Sequence, residues 1–129
     1  SPEGKWIAYQ SNQSGRSEIY VQPFPGPGMA TPISFNGGAQ VRWPRANELF
    51  YIALDGRLMA VSVRVSSDGM IDPGTPVPLF FTRIVRGPVQ ATDPHQYAVS
   101  RDGQRFLIST VTEIDNSPIT VILNWKPQP

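Results

Sequence analysis

The residues able to do chemistry in this chain are few. His95 is the single histidine, and there is no cysteine. A Ser-His-Asp arrangement would have to use His95 beside a serine on a strained turn. No Gly-x-Ser-x-Gly elbow occurs, so hydrolysis through a serine is not expected. Asp93 lies two residues before His95, but two such residues are too few ligands for a zinc site. Without cysteine, disulfides, thiolate metal sites and Cys nucleophiles are excluded, and the compartment stays open. Asp55, Asp68 and Asp102 each precede a glycine. Calcium needs alternating oxygen ligands within one loop, which no segment offers, so these carboxylates are expected to fix turns. Trp6, Trp43 and Trp125 could stack on a ligand, yet buried packing is the ordinary fate of such residues. Arg83 and Arg86 are the nearest thing to a basic cluster and read as solvated loop charges rather than a phosphate site. No catalytic, cofactor-binding or metal residue is assigned, and no cofactor is expected.

What remains is architecture. The chain has 129 residues, the length of one domain, and should bury roughly two-thirds of its unfolded surface. Hydrophobic residues make up 40% and charged residues 16%, too apolar for a disordered segment. With 11 Gly and 14 Pro, short strands joined by turns are favoured over long solvent-facing helices. A net charge of +1 gives no pull toward nucleic acid or acidic membranes. No apolar run approaches the about 18 residues of a spanning helix. The first residues, Ser1-Pro-Glu-Gly-Lys-Trp6, do not read as a signal peptide. They read as the middle of a turn, so a fragment of something longer is expected.

Strand periodicity runs throughout. Strands are expected over Lys5–Tyr9, Glu18–Phe24, Gln40–Trp43, Glu48–Ala53, Arg57–Val63, Gln96–Ser100, Arg105–Thr110 and Ile119–Trp125. Thr31–Phe35 and Val77–Phe81 read as edge strands, and Pro32 is acceptable in the first because an edge strand can lose a ladder donor. Asp55-Gly56 between two β-rich runs is a strong hairpin signal, because such turns demand positive φ. Asp68-Gly69 and Pro73-Gly74 mark further turns. Arg83 to Pro94 is expected to be an irregular loop.

Three segments repeat: Ser1 to Tyr9, Pro44 to Tyr51 and Ser100 to Ile108. Each carries a polar turn, then an aromatic-aliphatic strand, with a second apolar strand after it. The interval from Tyr9 to Tyr51 is 42 residues, matching the ~40–45 of a four-stranded propeller blade. The interval from Tyr51 to Ile108 is 57 residues, and the loop at 83–94 accounts for the excess. The expectation is an all-β, partial β-propeller of about three antiparallel blades, the first and last incomplete. The blades would span about 1–38, 39–82 and 95–125. Recurring Trp, Phe and Tyr should supply the packing between blades. Three blades are fewer than the about four needed for closure, so two faces and some strand edges would be left open.

Ser1-Pro-Glu-Gly-Lys-Trp-Ile-Ala-Tyr-Gln-Ser11 and Glu18-Ile-Tyr-Val-Gln-Pro-Phe-Pro-Gly26 resemble the TolB-like, WD-type repeat, with Glu3 where Asp is usual. Pro44-Arg-Ala-Asn47 departs further, being short and without glycine. Glu48 to Val63 and Ser117 to Trp125 resemble the C-terminal propellers of bacterial serine/threonine protein kinases. That resemblance implies an extracytoplasmic propeller behind a kinase domain and a membrane span, while no kinase motif lies in this segment. It implies a non-catalytic sensor that holds a protein or small ligand at loops of one rim. Two further readings stay open: a structural propeller segment of a prolyl-peptidase-type hydrolase, and a fragment that self-associates to complete a ring.

Overall fold

A computed structural model describes residues 1–84 and 95–110 of the chain. Its regular elements among these residues are all strands, paired antiparallel in three sheets. The first sheet holds β1 (Trp6–Ser11), β2 (Glu18–Pro23) and β3 (Thr31–Pro32), in that order. The second holds β4 (Ala39–Arg45), β5 (Glu48–Ile52), β6 (Arg57–Val65), β7 (Ile71–Pro73) and β8 (Val77–Phe81). The third is β9 (Tyr97–Val99) with β10 (Phe106–Ile108).

In the second sheet β5 lies along one edge of β6, from Glu48 opposite Ser62 to Ile52 opposite Leu58. The other edge of β6 is shared. Val63 faces Pro73 in β7, the Gly74 amide donates to the Ser62 carbonyl at 2.8 Å, and Ala60 then faces Val77 in β8. β7 and β8 therefore form one interrupted lane, and the sheet is four lanes wide. Sequence reading treated 68–74 as turns only. Ile71–Pro73 pairs because its lane is an edge, where Pro73, Pro76 and Pro78 need not donate to a further strand. Pro32 has the same licence at the edge of the first sheet.

The sheets stack face to face through their alternating side chains. Ile19, Val21 and Ile33 of the first sheet meet Leu49, Tyr51, Val61 and Val63 of the second, all buried. On the opposite face of the second sheet, Phe50, Ile52 and Leu58 meet Ile84 and Tyr97, with Phe106 and Ile108 packed against them. Leu49-Phe-Tyr-Ile52 is thus a strand buried on both faces, which explains its unbroken apolar run. Each such side chain contributes about 1.5–3 kcal/mol by leaving water. Ile84 was expected in an irregular loop; it is instead a core residue, 8% exposed, bridging to Thr110.

The turns are built by a shared device. The Gly56 amide donates to the Ala53 carbonyl and the Ala53 amide to the Arg57 carbonyl, both at 2.9 Å. Gly56 alone takes positive φ, 86°, so this is a three-residue hairpin with a glycine bulge rather than a two-residue Asp-Gly turn. The expected strand over Thr31–Phe35 is cut to Thr31–Pro32. From Ile33 onward the backbone bends so that Ile33 and Ser34 both donate to the Ile19 carbonyl. Ile119–Trp125, the 85–94 part of the loop, Arg86, Asp93 and Trp125 lie outside the described residues. Among the described residues no helix is long and apolar enough to cross a membrane.

Candidate functional site

Among the described residues, a hollow with mixed chemistry opens where the first and second sheets diverge. Its floor is Tyr51, Ala53 and Met59, on the face of the second sheet that looks toward the first. One wall is the β3–β4 connection with Phe35 and Gly37, the other is the β5–β6 hairpin with Leu54, Asp55 and Arg57. Pro76 and Pro78 close the third side, and the groove holds about 520 Å³.

The wall that carries Phe35 is held by a buried carboxylate. Glu18 begins β2 and is 4% exposed. Its two oxygens accept from the Gly37 amide at 2.9 and 3.0 Å, from the Ser34 hydroxyl, and from Arg16 Nε at 3.0 Å. The Ser34 hydroxyl oxygen in turn accepts the Ile19 amide at 2.8 Å, and Arg16 Nη2 donates to the Phe35 carbonyl at 2.6 Å. A buried carboxylate survives only when each lone pair is met, and here the loop itself supplies the donors. Phe35 is left 62% exposed above the groove. A second hollow, about 500 Å³, lies on its far side and is lined by Ser14, Arg16, Glu18 and Tyr20.

Gly37 is required by close approach as well as by backbone conformation. Its φ is +94°, and a Cβ there would fall 2.2 Å from Leu54 Cδ1. Leu54 caps the groove from the hairpin and is 42% exposed. Below it, Asp55 accepts the Arg57 amide at 3.0 Å and pairs with Arg57 Nε at 3.3 Å. The Arg57 guanidinium also lies over the Phe81 ring, 4.8 Å from its centroid. Burial, then the carboxylates of Glu18 and Asp55, pushes the Tyr51 phenol up from 10.0 to about 12. Tyr51 is therefore a neutral donor at ordinary pH and no base. Apolar walls with one ion pair and one phenol suit recognition of an apolar group with a polar neighbour.

The residues singled out in the sequence are scattered. His95 is exposed at the start of the third sheet, and partial burial, then the Arg42 guanidinium, lowers its pKa. A cation beside an imidazole disfavours a metal there. Asp68 accepts from Ser66 Oγ and the Met70 amide, and Asp102 from Ser100 Oγ and the Gln104 amide. Both carboxyls are held below the usual range by those hydroxyls, then those amides. Trp6 and Trp43 pack against the first core cluster. Arg83 is exposed, with φ of 49°. Among the described residues no group of three or more His, Asp or Glu could hold a metal ion.

Sequence reading missed Glu18, Ser34 and Gly37 as a unit and Phe35 as a surface group. The available signal was an acidic residue opening an otherwise apolar strand. No family model, curated protein or solved structure matches the chain.

Proposed function

We propose that this chain is a non-catalytic binding module, built as part of a TolB-like β-propeller, that holds an apolar side chain of a protein or small ligand in the groove between its first two sheets. The observation that carries the reading is the exposed Phe35 and Leu54 standing over a groove whose walls are fixed, one by the Glu18 cluster and one by the Asp55–Arg57 hairpin. Groups kept rigid and left exposed cost little order on binding. The propeller part is supported by the ~42-residue repeat and by antiparallel sheets stacked through their faces. The resemblance to kinase-attached propellers adds an extracytoplasmic sensor behind a kinase domain and a membrane span. Sequencing the complete reading frame tests that part: a Gly-x-Ser-x-Gly element downstream would replace it with the hydrolase reading.

Panning a displayed peptide library on the isolated chain tests the groove, with amide shifts mapped by NMR. Selected peptides should move Phe35, Leu54 and Arg57. Leu54→Ser should weaken binding at least tenfold, about 1.4 kcal/mol. Shifts confined to other surfaces, or unchanged affinity in the variant, would overturn the assignment.

A further inference from the structure

We propose that the groove takes an internal residue of a peptide, its apolar side chain against Phe35 and Leu54 and its neutral main-chain carbonyl accepting from the Tyr51 hydroxyl. This rests on the groove being the binding site, and it adds which acceptor the site selects.

Tyr51 lies on the floor of the groove and is only 3% exposed. Register in the second sheet sets it opposite Met59, the neighbouring floor residue. Among the described residues, the buried polar atoms left without a partner are Gln40 Nε2, Trp43 Nε1, Gln96 Oε1 and the Tyr97 hydroxyl. The Tyr51 hydroxyl is not enclosed with them, and no described residue hydrogen-bonds it. It therefore reaches open space, and the hollow that Tyr51 lines is the groove. A nearly buried phenol with its donor unspent is a group whose partner is to come from outside.

The other polar side chains around it are committed or wet. Asp55 and Arg57 hold each other at 3.3 Å. The Glu18 oxygens behind the Phe35 wall are met by Ser34, Gly37 and Arg16. Asn36 and Thr75 are exposed, so a bond to either trades one water partner for another. Pro76 and Pro78 bring no N–H to the third side. The Tyr51 hydroxyl is thus the side-chain donor held at depth, where a hydrogen bond counts for most.

The surroundings decide which acceptor suits it. Burial, then the carboxylates of Glu18 and Asp55, keep this hydroxyl protonated. Burial and the same two carboxylates oppose an anion brought to the same point. An amide carbonyl offers the lone pair without the charge, and a free peptide C-terminus does not. The carbonyl of an internal residue, with its side chain beside Phe35 and Leu54, meets both demands of the groove.

Two isosteric probes test this by NMR titration of the intact chain, N-acetyl-leucinamide and N-acetyl-leucine, the second carrying a free carboxylate. Millimolar affinity is the scale for ligands so small. The amide should move the Leu54 and Arg57 signals and bind about tenfold more tightly than the acid. Tyr51→Phe keeps the ring and should weaken the amide about fivefold, with the rest of the spectrum unchanged. Should that variant fail to fold, the ratio of the two probes on the wild-type chain still decides. Equal affinities, tighter binding of the acid, or an amide affinity unchanged in Tyr51→Phe would overturn the carbonyl assignment and leave the groove standing. No shift at Leu54 with either probe would overturn the groove reading itself, and this assignment with it.

Discussion

The two inter-sheet contacts solve one problem with different side chains. Between the first and second sheets the buried centre is mostly aliphatic, with Ile19, Val21, Ile33, Leu49, Val61 and Val63 around Tyr51, and Trp6 and Trp43 pack against it. Between the second and third it is aromatic. Phe50 meets Phe106 edge-on at 5.2 Å, and Phe80 meets Phe106 at 5.7 Å.

Their polar accounting differs as well. Gln10 Oε1 accepts the Gln40 amide at 3.1 Å across the first contact, and Gln40 Oε1 accepts the Gln96 amide at 2.8 Å across the second. Among the described residues, Gln96 Oε1 and the Tyr97 hydroxyl are buried at the second contact without a partner, and Trp43 Nε1 is so at the first. Each such atom costs about 1–3 kcal/mol. Both contacts therefore carry an unmet polar cost, and it is larger at the second.

Breaking each contact at its centre should show this. Phe50→Ala removes the fully buried ring that meets Phe106 and should destabilise by about 4 kcal/mol in urea unfolding. Leu49→Ala, one residue earlier and on the other face, should lose about 3 kcal/mol. Equal losses of less than about 1 kcal/mol would mean that the strand is not buried on both sides. Glu18→Gln keeps the shape of the clamp behind the first contact and removes its charge. A loss of about 2 kcal/mol is expected, because charge-assisted bonds to Arg16 and Gly37 weaken.

Alkaline titration bears on the same contact. The Tyr51 phenol sits at about 12 in the fold against 10.0 in the unfolded chain. Between those values the native state holds the extra proton, so stability is intact below pH 10 and falls as pH rises toward 12, by about 2 kcal/mol. Tyrosinate absorbance against denaturation midpoint measures it, and Tyr51→Phe should make the fall shallower, the remainder belonging to Tyr97, whose phenol burial also pushes up. The smallest change sharpens the contrast from the other side. Tyr97→Phe deletes an unpartnered buried hydroxyl and should stabilise by about 1 kcal/mol in the same assay.

Strands were legible because period-two alternation is a local property. The run Glu48–Ala53 marked a strand before any fold was known, and Asp55, Asp68 and Asp102 announced turns through their glycines. Aromatic residues take part in both inter-sheet contacts, Tyr51, Trp6 and Trp43 at the first and Phe50, Phe80 and Phe106 at the second. Ile71–Pro73 was hidden because its prolines look like breakers until its edge position is known. Phe35 and the groove were not legible at all. They depend on a loop being pulled against Glu18, a contact across 19 residues that leaves no periodic trace.

The alternation of β5 between two contacts is the feature on which the whole arrangement stands, and side-chain NOEs read it directly. Leu49 methyls should show cross-peaks to Ile19 or Val21, and the Phe50 ring to the Phe106 ring, with no peak from Leu49 to Phe106. Cross-peaks from Phe50 to the first sheet, or from Leu49 to the third, would show that the stack is not assembled in this order.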